Sequence, residues 1–171
     1  MVLKKAALID LIDLRNICIA AYSKNFYNHW EEGGLEWYVD KEFSTKKLTS
    51  DLNDHHTEYY FIEHEQKAVG FIKIRNNSVA NSSIENAVEL EKIYVLPECK
   101  GMGIGKSALK DIIKRITAAG AKNIFLGVID TNINAIAFYE KIGFEMHSKT
   151  SLDIPYFKVE LKGMYRMVKK L

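Results

Sequence analysis

From residue 10 onward the chain carries the three-to-four spacing of a helix. In "DLIDLRNICIAAYSKNFYNHW" the apolar positions are Leu11, Leu14, Ile17, Cys18, Ala21 and Tyr22, and Asp10 is placed to cap them. Gly33-Gly34 interrupts the pattern, and "STKKLTSDLNDH" at 44–55 predicts a short second helix. The period then changes to two. "EYYFIEHEQKAVGFIKIR" at 58–75 predicts a hairpin turning near Glu65-Gln66-Lys67, followed by a polar loop, "NNSVANSSIEN", at 76–86. "AVELEKIYVL" at 87–96 reads as a long strand halted by Pro97. Helical spacing returns at Ile104, Ala108, Ile112 and Ile116 and stops near Gly120. "KNIFLGVI" at 122–129 predicts a buried strand, and "NAIAFYEKI" at 134–142 a short helix ended by Gly143. The loose alternation of "YFKVELKGMYRMVKKL" at 156–171 predicts the last strands. Helices, then antiparallel strands, then a β-α-β-α-β run make one α/β domain.

Composition narrows the function classes. A chain of 171 residues suits one domain, and 47% hydrophobic with 27% charged residues is ordinary for a soluble protein. A net charge of +2 with no Lys/Arg block argues against nucleic acid as the partner. Cys18 and Cys99 form no CxxC pair and read as reduced thiols of a cytoplasmic protein. His29, His55, His56, His64 and His147 show no ligand spacing, so no metal is expected. Acidic residues inside "MVLKKAALIDLID" argue against a signal peptide, and no run approaches the roughly 18 apolar residues of a membrane span.

The chemistry gathers in "KIYVLPECKGMGIGKSALKDII", where a strand meets alternate glycines and then a helix. Such a turn offers converging N–H groups and the positive end of a helix to an anion. Three readings compete. Gly105-Lys106-Ser107 supplies the "GKS" of a nucleotide P-loop, but Lys100 stands where that motif needs glycine. Gly103 to Ala108 satisfies the dinucleotide pattern G-x-G-x-x-A, yet little chain follows to complete a doubly wound sheet. The third reading joins "KGMGIG" to "NINAIAFYEKIGF" at 132–144.

That pair of motifs closely resembles the GNAT superfamily of N-acetyltransferases over about residues 58–145. The resemblance implies a single α/β (α+β) domain with a mixed sheet of about six or seven strands and about four helices. It also implies acetyl-CoA as cosubstrate, with its pyrophosphate on the turn Lys100, Gly101, Met102, Gly103, Ile104, Gly105 and Lys106. Lys100 departs from the usual Arg or Gln but keeps a cation there. By the same resemblance, the main chain of the strand through Ile93, Tyr94 and Val95 would hold pantetheine, with Asn132, Asn134 and Lys141 near the cofactor. An N–H near Ile93 would support the oxyanion. Tyr139 would be the general acid, against the alternative of a tyrosine that merely packs the short helix.

Acetyl transfer to an amine also needs a group to take the amine's proton, because at pH 7 only about one alkylamine in two thousand is neutral. Glu91 and, after it, Glu89 interrupt an otherwise apolar strand and are the candidates. Their spacing puts both on one face of a regular strand. The alternative for Glu91 is a glutamate paired with Lys73 or Lys92. "LEKIYVLPECKGMGIG" is similar to the segment of polyamine acetyltransferases whose strand glutamate corresponds to Glu91, and the layout with "NAIAFYEKIGF" and an acidic loop after the first helix resembles the spermine/spermidine branch, which makes a small polyamine the leading acceptor. A protein N-terminus, an amino acid or an aminoglycoside remains open. So does an acyl-CoA sensor without turnover, and so does a homodimer. Phe26, Tyr27, Trp30, Trp37, Tyr38 and Phe43 lie among Glu31, Glu32, Glu36 and Asp40, a composition that either lines a cleft for a cation or simply packs the helices.

Overall fold

In the computed structural model, which describes residues 1–76 and 86–171, the period-two stretches form one seven-stranded sheet in the order β1-β2-β3-β4-β5-β7-β6. The strands are β1 (Val2–Lys5), β2 (Thr57–His64), β3 (Lys67–Asn76), β4 (Ala87–Val95), β5 (Asn123–Ile129), β6 (Glu145–Ser151) and β7 (Gly163–Lys170). The helices are α1 (Leu11–Phe26), α2 (Gly34–Phe43), α3 (Thr45–Asn53), α4 (Ile104–Ala118) and α5 (Ile133–Glu140). The β2–β3 hairpin turns through Glu65 and Gln66, both left-handed at φ 49° and 62°, as a two-residue hairpin loop requires. The described part of the predicted polar loop is Asn76 and Asn86; 77–85 lie outside the described residues. Among the described residues no helix is long and apolar enough to cross a membrane.

Alternation across the sheet makes two cores. Ile72 and Ile74 of β3 meet Ile104, Ala108, Leu109, Ile112 and Ile116 of α4 on one face. Phe71 points to the other face, among Leu14, Ile17, Cys18, Ala21 and Tyr22 of α1 and Phe43 of α2. The helical stripes read from spacing are thus the buried faces of α1 and α4.

Three elements depart from the sequence expectation. Strand β1 was not foreseen, because four residues containing two lysines carry no clear alternation. Helix α2 begins at the glycine pair read as a break: Gly33 adopts φ 74° and serves as its N-cap. The expected tail strand is confined to β7, while its partner β6 lies earlier, in a stretch exposed along nearly its whole length.

One topological feature positions everything that follows. Strands β4 and β5 run parallel but pair only through Ala87↔Asn123, Val88↔Ile124 and Glu89↔Phe125. Beyond Glu89, β4 stays on β3 while β5 continues on β7, so the sheet opens into a cleft.

Candidate active site

The cleft holds a cavity of about 430 Å³. Its floor is β4 from Glu89 to Val95 and β5 from Leu126 to Ile129. Tyr139, Asn132, Ala135 and Lys100 bound one end, and Tyr22, Asn25, Phe26, His29 and Tyr38 the other. Candidates 50 residues apart in sequence are therefore brought to one cavity.

Register decides which peptide groups of β4 face it. Leu96 N–H donates to Val69 at 2.8 Å, so bonded pairs alternate through Tyr94↔Phe71 and Lys92↔Lys73. The peptide groups of Ile93 and Val95 then point away from β3 and into the opening. Asn25 fits this direction, donating its amide to the Val95 carbonyl at 2.9 Å. Tyr94 differs from its expected role: its peptide groups face Phe71, and what it gives the cavity is its ring, 5.1 Å from Phe26 and 5.6 Å from Tyr22.

At the glycine turn, Gly101 and Gly103 adopt φ 81° and 74°, where a side chain would be strained, and Gly103 is the N-cap of α4. Met102 is exposed, as are Lys100 and Lys106, while Ile104 is buried and Gly105 lies against Val95. This leaves an open, N–H-rich helix end beside the cavity. Asn132 caps α5, accepting from Ala135 N–H at 3.1 Å while bordering the cavity; Asn134 and Lys141 are exposed.

Glu89 and Glu91 both line the cavity. A bulge at Glu91, opposite the Lys73/Ile74 step, places Glu91 and Lys92 on the same face. Two buried lysines meet there. Lys73, 2% exposed, reaches Glu91 at 2.7 Å and Asp51 of α3 at 3.1 Å. Lys92, 6% exposed, reaches Glu91 at 2.9 Å and Glu42 of α2 at 3.1 Å. Burial alone would push the Glu91 carboxyl up, but the Lys92 and Lys73 ammoniums outweigh it and hold the group at about 2. Burial likewise works against the charge on Lys92, and Tyr38, Glu91 and Glu42 outweigh it. Tyr139 is half-buried against Phe138 and Phe144, and burial pushes its phenol up to about 12.

The end of the cavity away from Tyr139 is where sequence reading fell short. Glu31, Glu32, Glu36 and Asp40 do not line the cavity, and Trp30 and Phe43 are core residues. The rings that face it are Tyr22, Phe26, His29, Tyr38, Tyr94 and Phe157. Leu152 and Ile154, from the β6–β7 connection, join them. No motif marks these positions. The lysines inside apolar strands were the one available signal for the ion chain. Among the described residues no group of three metal-binding side chains occurs.

Comparison with known proteins matches the model of the Acetyltransferase (GNAT) family to residues 19–144. An uncharacterised N-acetyltransferase of Methanocaldococcus jannaschii is 25% identical over 169 residues, 98% of this chain and 64% of the relative. The spermine/spermidine N(1)-acetyltransferase of Bacillus subtilis is 31% identical over 78 residues, 45% of this chain and 50% of the relative. This chain thus spans between half and about two thirds of the length of these two relatives. Among solved structures, the PaiA N-acetyltransferase of Thermoplasma acidophilum in complex with coenzyme A superposes with a TM-score of 0.77 at 21% identity, covering 99% of this chain and 98% of that one.

Proposed function

The chain belongs to the Acetyltransferase (GNAT) family, and from that premise we propose that it moves an acetyl group from acetyl-CoA to a primary amine. The observation that carries the reading is the free edge of β4. Past Glu89 the strand has no partner on one side, and that edge runs from the carboxylates to the glycine turn along a single cavity.

The residues present fit acetyl-CoA. Peptide groups of Ile93 and Val95 would hold the pantetheine arm as a neighbouring strand would. The turn from Gly101 to Lys106, with the cation of Lys100, would hold the pyrophosphate. Asn132, with Asn134 and Lys141 beyond it, would border the arm. The cosubstrate supplies an activated thioester carbonyl, and the N–H near Ile93 would receive its oxygen as charge develops there.

Two carboxylates divide the work on the amine. Glu91 stays ionised at any working pH, so it draws in an ammonium, but a group held at about 2 is a poor proton store. Glu89, on the same face where the strands part, takes the proton directly or through water. This reverses the order in which sequence ranked the pair. Tyr139, a phenol throughout the working range, shares its proton with the departing sulfur. A small polyamine is the acceptor supported by the Bacillus subtilis relative and by the ring-lined end of the cavity, where an ammonium would find aromatic faces. Two cysteines without a disulfide suit a cytoplasmic setting.

The test is thiol release from acetyl-CoA with spermidine, spermine, amino acids, short peptides and an aminoglycoside. Release with amines is expected, with polyamines fastest. Tight acetyl-CoA binding with no release from any amine would favour a sensor without turnover.

A further inference from the structure

Both ammoniums on Glu91 end on the same oxygen. Lys73 Nζ donates to Oε1 at 2.7 Å, and Lys92 Nζ donates to Oε1 at 2.9 Å. Glu91 also lines the cavity and keeps 22% of its side chain exposed. With Oε1 engaged by the lysines, it is Oε2 that remains for a substrate. Lys73 is not among the residues that line the cavity. It acts on a bound molecule through its charge and through Glu91, never by contact.

The charges are layered. Lys73 and Lys92 touch the carboxylate itself, while their other acids stand one residue further back. Lys73 holds Asp51 of α3 at 3.1 Å, which takes Lys47 as well, and Lys92 holds Glu42 of α2 at 3.1 Å. Glu89 of the same strand and Arg75 opposite it in β3 add one charge of each sign. Cys18 and Tyr22 of α1, Tyr38 of α2, Tyr59 of β2, Tyr94 of β4 and Tyr139 of α5 are pushed up by burial and stay neutral. An ammonium arriving at Oε2 therefore meets a carboxylate that two buried cations have already claimed.

We propose that Lys73 and Lys92 are positioning residues that make the bound amine give up its proton: they fix Oε2 as its docking point and, as like charges beside it, disfavour its ammonium form. The proposal rests on the amine-acetylating reading above and supplies what that reading needs, since an alkylamine is almost wholly protonated at pH 7. The ammonium enters because Glu91 accepts its hydrogen bond. Its proton passes to Glu89, directly or through water, and the freed lone pair attacks the thioester carbonyl. A cation set beside a reacting amine lowers that amine's proton affinity. An amine on Oε2 lies about 6–7 Å from the Lys73 ammonium, two hydrogen-bond lengths and the width of one carboxylate. At that distance one unit charge moves a titration by about one pH unit or more.

The pH profile of kcat reads the proton balance of the bound complex. Thiol release is followed at saturating acetyl-CoA with spermidine, or whichever amine of the panel above is fastest, from about pH 6 to 10. Thermal melts report folding. Lys73→Met removes a cation and should move the acid limb up by about one unit. On that side the rate falls about tenfold, while the KM for the amine does not rise. Glu42→Gln keeps the hydrogen bond to Lys92 and removes an anion from behind it. It should move the limb down, by a smaller step because that charge lies further off. Lost packing would slow both variants without moving their limbs in opposite directions. A limb that stays in place in both folded variants, or moves the same way in both, overturns the proposal. Should the methionine variant not fold, Glu42→Gln decides alone, and a fixed or raised limb overturns it. Absence of thiol release from every amine sinks the amine reading itself, and the proposal with it.

Discussion

Replacing Lys73 with methionine keeps the length of a buried side chain and deletes its ammonium. Lys73 sits 2.7 Å from Glu91 and 3.1 Å from Asp51 at 2% exposure, so two acids lose a partner at once. Breaking a buried pair from one side costs about 3–5 kcal/mol. Here each acid keeps another donor: Lys92 for Glu91, and Lys47 and Tyr59 for Asp51. The expected loss is therefore at or below the bottom of that range, about 2–3 kcal/mol at pH 7. Glu91 gives a second handle. Its carboxyl is lowered from 4.5 to about 2 on folding, by Lys92 and Lys73 together against burial. A depressed carboxylate stabilises the fold fully above its unfolded value, and that stability is lost as pH falls through the folded value. The methionine variant lacks Lys73's share, so its deficit should be full at pH 7 and shrink between about pH 4.5 and 2. Urea unfolding across this range measures both quantities. A deficit under about 1 kcal/mol would mean that solvent screens the pair as it would a surface one. A deficit that stays constant in acid would show that packing, and not charge, is what was removed.

Four further substitutions probe the chemistry. Gly103→Glu places a carboxylate at the α4 N-terminus on a residue at φ 74°, and should weaken acetyl-CoA binding at least about tenfold by calorimetry; an unchanged Kd in a folded variant would remove the turn from the cofactor site. Tyr139→Phe should lower kcat about a hundredfold with acetyl-CoA affinity intact; a full rate would leave Tyr139 as a packing ring against Phe144. Glu89→Gln should depress turnover most at low pH, where neutral amine is scarcest, whereas Glu91→Gln should chiefly raise the KM for the amine; the reverse pattern would return the proton to Glu91.

The part of the cavity proposed for the cofactor was legible because it is local. "KGMGIG" is one turn and the start of α4, and "NINAIAFYEKIGF" is α5 with its cap and the turn after it, so spacing alone carries their geometry. The end proposed for the acceptor is assembled from α1, α2 and the β6–β7 connection, and no short window contains it. "FIKIR" and "LEKIYV" announce lysines among apolar residues, yet their partners Asp51 and Glu42 belong to α3 and α2. The second of those helices was hidden by a glycine pair that reads as a break until Gly33 is seen as a left-handed cap. The bulge, which the family resemblance implies, cannot be read from the spacing of either strand, because it is a mismatch of register between β3 and β4, a property of the pair.

That bulge joins the two ends of the site. Before it, Val88 and Leu90 point into the α4 core; after it, Ile93 and Val95 do. Strict alternation from Leu90 would instead send Lys92 into that apolar core and Ile93 toward the acids of α2 and α3. Inserting Glu91 resets the phase. Lys92 joins Glu91 on the helical face, where Glu42 can neutralise it, and Tyr94 returns to the aromatic wall beside Phe26. With Glu91 present, the partners of the ion chain and the facing of the residues that follow it therefore depend on its being taken up as a bulge. Deleting Glu91 would restore strict alternation from Leu90 to Lys92, so the residues from Lys92 to Val95 would keep their facing while the ion chain loses its central carboxylate.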